Sequence, residues 1–380
     1  MATGRIAIIG GGIIGLAIGW RLAQASVAVD VFERGEAGRG ASFAAAGMLA
    51  AGVESEPGEA ALCALTRRGQ ALWPDFAAEL EAAADLSVGL RQEGTIEIAL
   101  TRDDAARLRH SFDFQRRQGV PLEWLNAAEA RAREPHLGAQ LAGAVFSPHD
   151  HQVDNRLVVI ALRKAFLAAG GRLHEGSEVA LAVENDRAIG VRRADGTLHE
   201  ADRVVLAAGA WSGETAGLPA AARPAVRPIK GQMLALRMDP AAPLLRHVLW
   251  TPRVYLVPRD DGRLIIGATT EERGFDTTLT AGGILSLLEG AWRAMPAIED
   301  LAIAETWVGF RPGSRDDAPL LGPSDVAGLV LATGHHRNGI LLAPITAELI
   351  TRHLIEGVID PAMAPFLPDR FAAQPAAPAA

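Results

Sequence analysis

Cysteine is nearly absent: Cys63 is the only one in 380 residues. That excludes an intrachain disulfide and a cysteine-based metal cluster, and it fits a reducing compartment. Tyrosine is equally scarce, with Tyr255 alone, and aromatics make up only 5% of the chain. No uncharged apolar stretch reaches the ~18 residues that a membrane-spanning helix needs. The opening Met1-Ala2-Thr3-Gly4-Arg5 lacks a signal-peptide pattern, so a cytoplasmic location is expected. A basic excess is lacking too. The 37 Lys and Arg stand against 45 Asp and Glu, net −8, with no basic stripe, which argues against a nucleic-acid partner. The 40 glycines follow no three-residue period, which excludes a collagen-like chain. What is present is 49% hydrophobic residues, enough for a sizeable core, in a length that suggests about two domains.

The first forty residues read as strand, glycine turn, helix and strand. An apolar run from Arg5 to Ile9 precedes Gly10-Gly11-Gly12-Ile13-Ile14-Gly15. A helical stretch from Leu16 to Ala25 follows, and Val27 to Phe32 forms a second strand ending at Glu33. Further helices are expected from about Glu59 to Ala84, from an N-cap at Thr101 to about Gln118, over Arg156 to Ala169, and from Ile340 to about Glu356. Strands are expected over Leu90–Leu100, near Arg172–His174, and as a hairpin of Val179–Glu184 with Ala188–Arg193 about Asn185-Asp186. Arg203–Ala207, Gly231–Arg237, Val254–Pro258, Leu264–Ala268 and Gly328–Thr333 read as strands as well.

Helix–strand alternation at both ends with a strand-rich middle points to an α/β fold. A discontinuous Rossmann-like nucleotide-binding domain is expected, interleaved with a second domain built on an antiparallel sheet. The expected division assigns 1–60, 145–215 and 305–370 to the first domain, and 61–144 and 216–304 to the second. Residues 371–380, ending in AAQPAAPAA, read as a frayed tail.

Gly10-x-Gly12-x-x-Gly15 sits where the dinucleotide fingerprint requires, after a strand and opening a helix. Gly10 permits the tight turn, Gly12 lets the backbone approach a diphosphate, and Gly15 lets the helix lie close on the strand. Free N–H groups at Ile13 and Ile14, with the helix dipole, favour the phosphates. Glu33 lies 18 residues beyond Gly15 at a strand end, placed to accept from ribose hydroxyls and to repel a 2′-phosphate, which disfavours NADP. NAD and FAD enzymes share this opening. The small-residue stretch ASFAAAGM from Ala41 to Met48 suits close approach to a flavin. A helix starting at Asn338-Gly339-Ile340 can turn its dipole toward the anionic edge of a reduced isoalloxazine.

The chain resembles the D-amino acid oxidase and sarcosine oxidase family of FAD-dependent oxidoreductases, and within it most the glycine oxidases of thiamine biosynthesis. The matching pieces are IAIIGGGIIGLAIGWRLA (6–23), ASFAAAGML (41–49), VVLAAGAWSG (204–213), RPIKGQMLAL (227–236), YLVPRDDGRLIIGAT (255–269), VGFRPGSRDDAPLLG (308–322) and GHHRNGILLAP (334–344). They occur in family order from about 6 to 360.

The resemblance implies oxidation of an amine α to a carboxylate. Hydride would pass to flavin N5, O2 would reoxidise the flavin to give hydrogen peroxide, and the imine would hydrolyse to an α-keto acid and ammonia or amine. No acid–base dyad is needed, because the amine lone pair drives hydride departure. Arg311 is expected to follow a short strand and precedes Pro312-Gly313; matched to the family motifs it is the carboxylate clamp, and Tyr255 is a donor to the same group. Arg337 borders the substrate or the flavin, and Met48 is an apolar wall. Arg253 and Thr270 stand where a glycine oxidase carries histidine and methionine. They imply a more polar, more cationic pocket, with a longer, acidic or N-substituted amino acid as an alternative to glycine.

The cofactor residues implied are those of the glycine turn together with Glu33, Arg34, Ala41, Ser42, Ala46, Gly47, Met48, Val179 and Gly209. At the C-terminal end they are His335, His336, Arg337, Asn338, Gly339, Ile340 and Leu341. With no cysteine near the C-terminus, FAD is expected to be non-covalent, and Cys63 to be a small core residue.

The implied partners are a small amino acid and O2, with no nucleic acid and no membrane span, and a homo-oligomer is admitted. Three alternatives stay open: a dehydrogenase passing electrons to a quinone or carrier, a relative acting on RNA, and a non-catalytic flavoprotein subunit. His149, His151 and Asp154 lie in a Pro-flanked loop without metal-ligand spacing, so no metal is expected.

Overall fold

The computed structural model describes residues 4–54 and 58–371; the expected tail at 372–380 lies outside the described residues, whereas Phe371 closes a 3₁₀ turn, Pro368–Phe371. The chain builds two large sheets. The first has six strands in the order Leu320–Pro323, Leu329–Thr333, Arg203–Leu206, Ile6–Ile9, Val29–Phe32 and Arg172–His174. All pair in parallel except Leu320–Pro323. Alternate side chains of Ile6–Ile9 serve opposite faces. Ile6 and Ile8 enter a core with the helices, while Ala7 and Ile9 pack toward a three-stranded antiparallel sheet. That alternation makes a three-layer body with both faces covered, as a parallel sheet requires.

Four helices fill the first face: Ile13–Gln24, Ala60–Ala84, Asn155–Ala168 and Ala343–Glu356. Helix Ala60–Ala84 contributes Leu65, Trp73, Phe76 and Leu80 to this core, and the Trp73 indole N–H donates to the Leu341 carbonyl at 3.0 Å. On the other face the three-stranded sheet holds the expected hairpin, with Asn185 and Asp186 both at positive φ in its turn.

The second sheet has eight strands in the order Ala302–Gly313, Arg227–Arg237, Arg263–Gly267, Tyr255–Pro258, Val248–Trp250, Thr95–Ala99, Gly143–Ser147 and Glu123–Leu125. Only Val248–Trp250 and Thr95–Ala99 pair in parallel. One face packs on helix Ala281–Ala294, and the other turns Met233, Trp250 and Tyr255 toward the first body. Helix Arg102–Arg117 is capped as expected, with Thr101 and Asp104 forming a reciprocal capping box.

Three pieces sit elsewhere than the expected division put them. Helix Ala60–Ala84 belongs to the first body, because its apolar stripe needs the other helices for burial. Gly143–Ser147 and Ala302–Gly313 belong to the eight-stranded sheet. The latter is a twelve-residue edge strand, so Arg311 lies within a strand, opposite Ile229, rather than after a short one. Cys63 is half-buried on its helix rather than in the core.

Burial and the neighbouring Asp150 carboxylate push the Glu97 carboxyl up to about 7. A raised acid binds its proton more tightly in the folded chain. Its stabilisation is therefore complete below the ordinary value of 4.5 and is lost as pH rises through about 7. Glu97→Gln should leave the thermal midpoint unchanged near pH 4.5 and raise it near pH 8. The ceiling is about 3 kcal/mol, and thermal scans at the two pH values would read the difference.

Candidate functional site

The C-terminal ends of the parallel strands open into one cavity of about 810 Å³, which extends between the two sheets. Ligands of open α/β sheets bind at these strand ends. Gly10 has φ +110°, and a Cβ there would stand 2.4 Å from the Ala207 carbonyl oxygen. At Gly15 a Cβ would stand 2.0 Å from the Gly10 carbonyl oxygen, so the helix seats directly on the turn. Gly10, Gly12, Ile13 and Ile14 line the cavity, whereas Gly15 lies behind it.

One expectation fails here. The Ile13 N–H is not free, because the Ser42 hydroxyl accepts it at 2.9 Å. Glu33 accepts the Gly11 N–H at 2.8 Å and the Gly35 N–H at 3.0 Å, so it also braces the glycine turn. Arg34 lines the same end with its guanidinium 4.0 Å above the Trp211 ring, and Val179 and Gly209 complete that wall.

The small-residue segment forms a single helical turn, Ala41–Ala44, followed by the short strand Met48–Leu49. Ala41, Ser42, Ala46, Gly47 and Met48 all line the cavity. The segment is held from behind. Asn155 donates to the Ser42 carbonyl at 2.7 Å, and buried Arg259 donates to the Ala46 carbonyl at 2.7 Å and to Asn155 Oδ1 at 3.0 Å. Arg259 also reaches Gln152 Oε1 and the Val153 carbonyl, each at 2.8 Å. Gly47 has φ +69°, and a Cβ there would stand 2.0 Å from the Val153 carbonyl oxygen.

At the far end stand Arg311, Tyr255 and Thr270. Arg311 Nη1 donates to the Thr269 carbonyl at 3.1 Å, and among the described residues no carboxylate forms an ion pair with it. Gly231 lies beneath it, where a Cβ would meet Nη1 at 2.7 Å, and Gly267 leaves equivalent room for the Tyr255 ring. Burial pushes the Tyr255 phenol up against the opposing pull of Arg311, so it remains a donor.

Arg253 differs from the expectation of a cationic pocket. It stands at the rim, half exposed, and turns to Ser286 Oγ at 3.2 Å and Glu289 at 3.4 Å. Its charge is thus answered on helix Ala281–Ala294. Thr270 is likewise exposed at the rim.

The C-terminal turn also departs from the reading. Regular helix begins at Ala343, and a 3₁₀ turn, His336–Asn338, precedes it; the stretch closes on three-residue bonds, Asn338 N–H to the His335 carbonyl at 2.8 Å and Ala343 N–H to the Ile340 carbonyl at 3.2 Å. The helix dipole therefore begins beyond Ile340. Gly339 and Ile340 line the cavity as turn residues, while Asn338 and Leu341 do not. His335 and His336 both line it. Burial holds His335 at about 3 and, against Asp317, His336 at about 4, so both rings are neutral near pH 7. Arg337 lines the cavity and pairs with Glu54 at 3.2 Å and Glu59 at 3.5 Å.

Sequence reasoning passed over Glu54, Trp211, Gly231, Arg259 and Asn155. The glycines inside strand patterns, KGQM and IIGAT, were the available signal for a close approach.

The cradle fits FAD: a glycine turn a Cβ would fill, an acidic brace beyond it, and a small-residue wall leading to a chamber with apolar walls and the Arg311 guanidinium. Among the described residues no three His, Cys, Asp or Glu side chains are grouped to hold a metal, and no helix is long and apolar enough to cross a membrane.

Residues 5–353 match the DAO family, described as FAD dependent oxidoreductase. The chain is 39% identical over 352 residues to a glycine oxidase of Geobacillus kaustophilus, covering 91% of each. It is also 39% identical over 376 residues to the bifunctional protein ThiO/ThiG of Trichormus variabilis, covering 98% of this chain but 56% of that protein. It superposes on the crystal structure of glycine oxidase from Geobacillus kaustophilus with a TM-score of 0.88 at 38% identity, covering 98% of this chain and all of that one. For iminodiacetate oxidase from Chelativorans sp. the TM-score is 0.87 at 27% identity, covering 96% and 99%.

Proposed function

Since the chain belongs to the DAO family of FAD-dependent oxidoreductases, we propose that it oxidises glycine or a related small amino acid, a primary or N-methylated amine α to a carboxylate. The observation that carries this reading is the Arg311 guanidinium. It faces the chamber with a carbonyl as its partner, whereas Arg253 and Arg337 are answered by carboxylates. A planar cation of this kind binds a carboxylate through two parallel hydrogen bonds, which an ammonium cannot match. Similarity to glycine oxidases over nine-tenths of the chain supports the same class.

The residues divide the work. Arg311 takes the substrate carboxylate and the Tyr255 phenol donates to it, which fixes the α-carbon against the flavin side of the chamber. Met48, Met233 and Trp250 give that chamber apolar walls and exclude water from the reacting bond. When bound, FAD would supply the two-electron oxidant that accepts hydride from the α-carbon, and O2, reduced to hydrogen peroxide, would return it to the oxidised form. The amine reacts in its neutral form, so its lone pair becomes the imine bond and no side chain must remove a proton from carbon. Water then hydrolyses the imine to the α-keto acid and ammonia or amine. Because Arg253 is paired away from the chamber, the rim does not demand a second acidic group, and glycine or sarcosine fits. The sole cysteine, Cys63, is absent from the lining, which supports non-covalent FAD.

Anaerobic titration with glycine, sarcosine and a panel of D- and L-amino acids tests the reading. Flavin absorbance should bleach with the small amino acids and return on admitting air, with one hydrogen peroxide per flavin turnover. Bleaching that air does not reverse would make the protein a dehydrogenase. A yellow protein that no amino acid bleaches would make it a non-catalytic subunit.

A further inference from the structure

Strand Arg227–Arg237 carries Lys230-Gly231-Gln232 beneath the clamp. By strand alternation Gly231 faces one side, where Arg311 lies over it, and Lys230 and Gln232 face the other. Both side chains are fully buried, which is rare for a lysine. Lys230 Nζ donates to Asp276 at 2.8 Å and to the Thr278 carbonyl at 2.7 Å, with Glu271 at 3.8 Å. Gln232 Nε2 donates to Glu271 at 2.8 Å and to Thr280 Oγ1 at 3.0 Å, while its Oε1 accepts the Thr280 N–H at 2.8 Å. Together they fasten residues 269–280 as a loop with few apolar anchors of its own. That loop supplies the Thr269 carbonyl that holds Arg311, and Phe275, which stacks on Trp211 at 4.8 Å in the cavity wall. Thr269 is itself fixed, because its hydroxyl accepts the Gln232 N–H at 2.8 Å and donates to Glu271 at 2.6 Å.

We propose that Lys230 is a positioning residue for the substrate carboxylate: by anchoring the 269–280 loop it fixes the Thr269 carbonyl, and through it the angle of the Arg311 guanidinium. The inference rests on the reading of Arg311 as the carboxylate clamp. A buried ammonium suits this task because it ties Asp276 and the Thr278 carbonyl to the strand floor; without it both acceptors turn to the solvent they already border, and the loop loses that tie. Asp276, held far below the ordinary carboxylate range by the Lys230 hydrogen bond, is the exposed half of the same tie.

The test uses the FAD-loaded enzyme and its variants Lys230→Met, Lys230→Arg, Asp276→Asn and Arg311→Ala. The readouts are KM and kcat for the amino acid found best in titration, the inhibition constant of acetate, and the dissociation constant of FAD. For Lys230→Met the expected result is a rise of about tenfold in both KM and the acetate constant, with kcat and FAD affinity within about twofold. Lys230→Arg should recover part of the loss, and Asp276→Asn should move the same two constants in the same direction, by less. If Lys230→Met does not fold, Asp276→Asn carries the test alone, because it breaks the tie from the solvent side. Unchanged KM and acetate constant in the folded variants, or a loss confined to FAD affinity and thermal stability, would overturn the proposal. A flat response of Arg311→Ala would instead overturn the clamp assignment on which it stands.

Discussion

Arg311→Ala is expected to raise KM for carboxylated amines by about two to three powers of ten, the range for truncating one partner of a desolvated charge pair. The bound FAD spectrum should stay as it was. The guanidinium lies at the chamber end proposed for the substrate, and the glycine turn proposed for the diphosphate lies at the other end of it. Among the described residues the nearby cations are already engaged, Arg337 by Glu54 and Glu59 and Arg253 by Glu289. Steady-state kinetics with the titrated substrate, beside an absorbance spectrum of the variant, decides the matter. Oxidation at the wild-type KM would mean that the carboxylate is held elsewhere.

Gly10→Ala should yield a colourless protein. The position has φ +110°, where an L-residue is strained by about 1–2 kcal/mol. The added Cβ would also stand 2.4 Å from the Ala207 carbonyl oxygen and 2.9 Å from the Ala208 Cα. Those atoms cannot retreat, because Ala207 N–H is bonded to Ile9 at 2.8 Å and Gly10 N–H to Phe32 at 2.8 Å. Relief must come from the turn, which would move out into the diphosphate position. With overpacking adding about 1–3 kcal/mol, FAD affinity should fall at least about a hundredfold. Titration of the apoprotein with FAD, read by flavin fluorescence, measures it. A yellow variant with unaltered affinity would place the diphosphate away from this turn.

The first body was legible because its signals are local. The Gly10–Gly15 spacing and the apolar runs at Arg5–Ile9 and Arg203–Ala207 each specify their own element within a few residues, as the Thr101 cap does for its helix on the other sheet. Arg311 and Tyr255 could be named only through their motifs, since nothing near them in the chain says that they meet across two strands. Only a short strand is legible ahead of Arg311, because the outer half of Ala302–Gly313, as an edge, carries Glu305 and exposed Ile303 instead of an apolar run. Arg259 and Lys230 look like surface cations in sequence. Only the fold reveals that each is buried among acceptors drawn from distant segments. The free helix terminus at Ile13 was misjudged for the same reason, because Ser42, 29 residues away, supplies the cap.

Arg259 has a consequence for how this scaffold can be altered. It leaves the end of strand Tyr255–Pro258 in one sheet and is riveted at four points to residues 46, 152, 153 and 155 beside the other. The two bodies are thereby locked at the seam, so the chamber cannot widen by tilting one against the other. Accommodation of a bulkier amine must come from the rim, at 250–254 and Thr270, whose side chains can be varied while the glycine turn stays put.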